Sequence, residues 1–84
     1  MKAIVTVTLK SGVLDPQGKA IEGALASLGF AGVENVRQGK VFEIEVEEAD
    51  PARATATLNA MAEKLLANTV IENYRVELVP GRDS

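Results

Sequence analysis

The chain has 84 residues, with 12 acidic against 9 basic side chains for a net charge of −3, and it contains neither cysteine nor histidine. That length gives a single domain over 1–84 that buries only roughly 60–65% of its unfolded surface, so association with other chains is a natural supplement to its core. The missing residue types remove disulfides, thiolate and zinc-thiolate chemistry and Ser-His or Cys-His pairs, which argues against a self-sufficient hydrolase; the acidic balance with scattered cations argues against nucleic acid or an anionic membrane as partner.

From Lys2 to Lys10, Val5, Val7 and Leu9 alternate with Thr6, Thr8 and Lys10, the period of a strand with one buried face. Met1-Lys2-Ala3-Ile4 leads into that strand instead of a signal peptide, and no apolar run reaches the length of a membrane span, so a soluble, cytoplasmic protein is expected. The segment Ser11 to Gly18 closes the strand, turns and opens a helix. Asp15 has the side-chain oxygen an N-cap needs, and Pro16 suits the first helical position, where a missing N–H costs nothing. Ala20, Ile21, Ala24, Leu25 and Leu28 share one sector of this helix, with Lys19, Glu22, Ala26 and Ser27 opposite. Gly29 follows as a left-handed C-cap, from which Phe30 can fold back onto the last turn.

Val33 to Arg37 reads as a short strand and Gln38-Gly39 as a tight connection. Val41 to Glu47 then alternate strictly, Phe42, Ile44 and Val46 on one face and Glu43, Glu45 and Glu47 on the other. Asp50-Pro51 repeats the helix-opening device. Ala54, Leu58, Met61, Ala62 and Leu65 form the stripe of this second helix, flanked by Leu66, and it runs to about Asn68. Tyr74, Val76 and Leu78 alternate with Arg75 and Glu77 in a last strand that Pro80-Gly81 stops, with residues 80–84 expected as a frayed tail.

The order strand, helix, strand, strand, helix, strand is that of an α+β, ferredoxin-like βαββαβ sandwich, a four-stranded antiparallel sheet with two helices on one face. Its usual strand order centres the first and third strands, which places Thr6, Thr8, Glu43 and Glu45 on the open face. Sheet edges and an open face are association surfaces, so a symmetric homo-oligomer is expected, with a dimer as its minimal unit and a tetramer as the next order.

Two connections concentrate polar residues that core packing does not require. Between Gly12 and Gly18, glycines lead into a helix N-terminus, which can hold an anion; Asp15 puts a negative charge in that place and Pro16 removes a donor, so a capping loop is the better reading. Arg37-Gln38-Gly39-Lys40 sets two cations about a tight turn, suited to an acidic partner or a phosphate, with a solvated hairpin tip as the plainer alternative. Asp15, Gln17, Gly18, Arg37 and Lys40 are accordingly the candidate partner contacts. Glu43, Glu45, Glu47, Glu48 and Asp50 could suggest a hard-metal site, but alternate strand positions lie roughly 7 Å apart, and a solvated or oligomer-facing stripe is the simpler account. Tyr74 has no base beside it in sequence and reads as a core or interface tyrosine. Gly23 inside the first helix costs about 1 kcal/mol relative to alanine, which close contact with another chain would explain. RNA recognition on this topology needs exposed aromatics, whereas the alternation buries Phe42, and an acylphosphatase needs an arginine that the first loop lacks.

Lys10 to Gly18, the helix end Leu28-Gly29-Phe30, the turn Val36 to Lys40, and Leu65 to Tyr74 occur in an order and spacing that closely resemble the PurS family, small subunits of bacterial and archaeal phosphoribosylformylglycinamidine synthase. Thr69 stands where that family commonly has proline, and Asn73 where it commonly has aspartate. The resemblance implies a non-catalytic subunit with no catalytic, cofactor or metal residue of its own. It would join a glutaminase subunit, PurQ, to a synthetase subunit, PurL, which uses ATP and magnesium to convert formylglycinamide ribonucleotide to formylglycinamidine ribonucleotide, and would support ammonia transfer between them. The absence of histidine and cysteine agrees independently. A free-standing, ACT-like module that binds a small effector is the alternative, and a small enzyme in its own right a third reading.

Overall fold

The computed structural model describes residues 1–79, so the expected frayed tail at 80–84 lies outside the described residues. Strand β1 (Lys2–Leu9) is followed by helix α1 (Pro16–Ser27), strand β2 (Gly39–Glu45), helix α2 (Pro51–Met61) with a π-helical turn at Ala62–Leu66, and strand β3 (Glu72–Val79). Both Asp-Pro pairs act as expected. Asp15 accepts a hydrogen bond from the Gly18 N–H at 2.9 Å and Asp50 one from the Ala52 N–H at 3.1 Å, with Pro16 and Pro51 opening the helices. Gly29, at φ 95°, ends α1 in a Schellman turn, in which the Phe30 N–H reaches the Leu25 carbonyl at 3.0 Å and the Gly29 N–H the Ala26 carbonyl at 3.1 Å.

Among the described residues the sheet is three-stranded, in the order β2-β1-β3, and both pairings are antiparallel. This overturns the four-stranded expectation. The predicted strand Val33–Arg37 does not form, and the strand expected beside β1 at the centre, β2, is an edge. The reason is competition for the segment. The Arg37 guanidinium and the Gln38 N–H are drawn to the β1–α1 loop, with bonds to Lys10 O at 3.0 Å, Val13 O at 3.1 Å and Asp15 Oδ2 at 2.7 Å, which holds this stretch against the start of α1 and away from the free edge of β2.

Directly opposed residues of an antiparallel pair share a face. Val5 opposite Phe42 and Val76, and Ala3 opposite Ile44 and Leu78, therefore define the inner face, while Ile4 opposite Glu43 and Glu77, and Thr6 opposite Val41 and Arg75, define the open one. Among the described residues, only α2 with its π-helical turn covers the inner face. Ala3, Val5, Val7, Ala54, Leu58 and Ala62 are fully buried, with Phe42, Ile44, Tyr74, Val76 and Leu78 packed around them. Helix α1 stands off the sheet, against the expectation of two helices on one face: Gly18 is its one buried residue, and Leu28 is 73% exposed. The radius of gyration is 16.2 Å, against about 12 Å for a compact domain of this length.

The second helix also departs from its stripe. A π-helical bond from the Ala67 N–H to the Ala62 carbonyl at 2.8 Å inserts one extra residue in the last turn. It rotates Leu65 out, to 83% exposure, and brings Leu66 and Ala67 to the core in its place.

Candidate functional site

The β1–α1 loop, the stretch before β2 and the start of β3 meet at one end of the sheet. Gly12 turns the loop with φ 91°, a conformation that disfavours side chains. Asp15 is the pin: its carboxylate is 5% exposed, with Oδ1 accepting from Gly18 N–H inside α1 and Oδ2 from Gln38 N–H across the gap. A side chain at Gly18 would collide with the Val36 carbonyl oxygen and with the Asp15 carboxylate, so glycine is what lets these two stretches touch. Arg37 closes the other side, its guanidinium donating to the carbonyls of Leu9, Lys10 and Val13 at 3.5, 3.0 and 3.1 Å.

Beside this latch opens a cleft of about 270 Å³ lined by Val7, Leu9, Asp15, Gln17, Gln38, Gly39, Lys40 and Glu72. Gln38 Nε2 donates to Gln17 Oε1 at 2.6 Å. Lys40 Nζ lies 3.7 Å from Glu72 Oε2, while Glu72 Oε1 accepts from the Asn68 N–H at 2.7 Å. A second hollow, lined by Lys10, Thr69, Glu72, Asn73 and Tyr74, contains both positions at which the chain departs from the resemblance. The Tyr74 hydroxyl donates to Glu63 Oε2 at 2.7 Å, and that bond to a carboxylate, with burial, holds the phenol above its ordinary pKa.

All five candidate residues therefore fall in one region, in different roles. Asp15, Gly18 and Arg37 are occupied in holding the two connections together, and Gln17 and Lys40 offer side chains to the surface. The turn at Arg37–Lys40 is not a hairpin tip, because no strand precedes it. Gln38 and Glu72 were not among the candidates. A signal existed for Glu72 in the strand period: two residues before Tyr74 on the inward phase, it carries a charge where Tyr74, Val76 and Leu78 carry apolar groups, and Lys40 does the same before Phe42 and Ile44. Two opposite charges on inward phases of the strands flanking β1 point to a pair. Among the described residues no cluster of three or more Asp or Glu is arranged to hold a metal ion, and no helix is long and apolar enough to cross a membrane.

The Gln38 and Gly18 amides, and then the Arg37 charge, hold the Asp15 carboxyl below its ordinary value of 3.8. A depressed carboxylate contributes stability that is present above the unfolded-state pKa and is lost as pH falls through the lower folded value. The latch is therefore intact at neutral pH and releases in acid. In an NMR titration the Gln38 and Gly18 amide signals should move together with a midpoint below 3.8, and a midpoint at or above that value would contradict the arrangement.

Comparison with known proteins gives one consistent family. The family described as "PurS: Phosphoribosylformylglycinamidine (FGAM) synthase" matches residues 2–80. The phosphoribosylformylglycinamidine synthase subunit PurS of Synechocystis is 49% identical over 74 residues, covering 88% of this chain and 74% of that protein. Among solved structures, Bacillus subtilis PurS superposes with a TM-score of 0.81 at 49% identity, covering 90% of this chain and 94% of its own. A chain of the PurLQS structure from Thermotoga maritima does so with a TM-score of 0.83 at 34% identity, covering 90% and 93%.

Proposed function

Because the chain belongs to the PurS family of phosphoribosylformylglycinamidine synthase subunits, we propose that it is the assembly subunit of that synthase in purine biosynthesis. It would hold the glutaminase and synthetase subunits, PurQ and PurL, in one complex and support ammonia transfer between them. The observation that carries this reading is a family match over residues 2–80 in a chain without a histidine or cysteine to perform the chemistry itself. The site agrees with it, since Asp15, Gly18 and Arg37 are spent on holding two connections together while Gln17 and Lys40, at the rim of the cleft, keep exposed side chains that a partner can reach. On this reading ATP and magnesium belong to the synthetase subunit, no cofactor binds this chain, and the complex works in the cytoplasm.

The working unit is a homo-oligomer built on a dimer. Ile21, Leu28 and Phe30 are 39%, 73% and 58% exposed on or just beyond α1, and among the described residues no strand pairs with the outer edge of β2, so these residues leave both a helix stripe and a strand edge for a second copy to cover. Gly23 lies on the same helix with open space where its side chain would be, which gives another chain room for close approach. The test mixes the chain with its synthetase and glutaminase partners and compares glutamine-driven with ammonia-driven synthesis. Leaving the chain out should abolish the first and spare more of the second. Undiminished glutamine-driven turnover without it would refute the proposal.

A further inference from the structure

We propose that the cleft at the start of β2 binds a free α-amino acid bearing a side-chain carboxamide, with glutamine as the ligand. The site rests on its own four polar side chains; the preference for glutamine's place in the cell rests on the function proposed above. Gln38 Nε2 donates to Gln17 Oε1 at 2.6 Å, which leaves the Gln17 Nε2 donors and the Gln38 Oε1 acceptor unused on the paired amides. A primary carboxamide complements that pair, accepting from one and donating to the other. A carboxylate, which only accepts, or a methyl group in the same place could not do both.

The opposite end of the cleft matches the head of an amino acid. Lys40 and Glu72 stand 3.7 Å apart, longer than a hydrogen bond, so neither charge is saturated by the other. The Lys40 side chain is 54% exposed and has donors for an α-carboxylate. Glu72 is 14% exposed, fixed by the Asn68 N–H, and offers an acceptor for an α-ammonium group. Leu9 lines the cleft between, over the buried Val7, where methylene groups would lie. Gln38 and Lys40 flank Gly39, so their backbones are roughly 6–7 Å apart in extended chain, a span suited to five carbons from carboxylate to carboxamide. The volume of about 270 Å³ lies below the range of drug-sized pockets and fits a metabolite of this size. Held there, the amino acid ties Gln17 of α1 to the starts of β2 and β3, and so steadies a helix that the chain's own core leaves unpacked.

The experiment is calorimetry and amide NMR on the full-length chain alone, with glutamine, glutamate and asparagine. Glutamine should bind saturably and shift the signals of Gln17, Gln38, Lys40 and Glu72, while glutamate and asparagine bind about tenfold more weakly or worse. Lys40→Met and Gln38→Leu should each weaken glutamine by about tenfold, the loss of one charged or paired contact. No saturable binding, shifts confined to another part of the chain, or glutamate binding as well as glutamine would overturn the proposal. The ligand series on the unmutated chain decides it even where a variant folds poorly. Because no partner subunit is present, failure here is separate from failure of the mixing experiment.

Discussion

Leu58→Ala should unfold this protein at temperatures where the parent chain is stable. Leu58 is fully exposed to none of the solvent and is, with Val5 and Val7, one of the largest fully buried side chains. The rest of the buried core is alanine: Ala3, Ala54, Ala62 and Ala67. Truncating a buried leucine costs about 2–5 kcal/mol, through lost transfer energy plus the cavity left behind. A core this small cannot spread the loss, because the inner face of the sheet is covered by α2 alone and α1 is not available to collapse into the gap. Against a total of about 5–15 kcal/mol for a domain, that is a large share, and at about 4–8 °C per kcal/mol it lowers Tm by roughly 10–40 °C. Thermal unfolding followed by circular dichroism reads it directly. A change of a degree or two would mean that Leu58 does not centre the core.

Gly18→Ala should do the reverse, disabling the site while sparing the core. The added carbon would overlap the Val36 carbonyl oxygen, which is backbone and cannot rotate away, and would lie 2.7 Å from Asp15 Oδ2. Relief requires α1 and the stretch before β2 to separate, and that breaks the bond between the Gln38 N–H and Asp15. Once the two connections part, Gln17 and Gln38 lose their 2.6 Å contact as well. The expected result is amide shifts concentrated at residues 13–18 and 36–40 with the signals of Val5 and Leu58 nearly unchanged, and glutamine-driven synthesis reduced by about tenfold or more. Signals for 36–40 that match the parent chain would show that the close approach at Gly18 is not what joins the loops.

Much of the local structure was readable from short stretches, because the interactions that decide it are short. Asp15-Pro16 and Asp50-Pro51 cap helices through bonds that reach two or three residues, and Gly29 closes α1 through bonds that reach five. The alternation of Phe42 with Glu43 and of Val76 with Glu77 assigned faces correctly, since adjacent strand residues must point opposite ways. The family, too, was carried by ordered segments along the chain. The fold brings the two candidate connections into one neighbourhood, which no local pattern could show, and the roles of their residues were not separable in sequence. Whether Arg37 reaches outward to a partner or inward to three carbonyls depends on where residues more than twenty positions away lie.

Sequence by itself therefore determined the capped helices, the strand phases, the family and the absence of histidine and cysteine chemistry, all properties of neighbouring residues or of composition. Tertiary structure alone decided the three-stranded sheet, the outward turn of Leu65, the stance of α1 and the Lys40–Glu72 pair. Val33 to Arg37 has the composition of a strand, yet a strand exists only where a neighbour takes up its backbone groups. Here Asp15 and the loop carbonyls took Gln38 and Arg37 first, and the edge of β2 was left open.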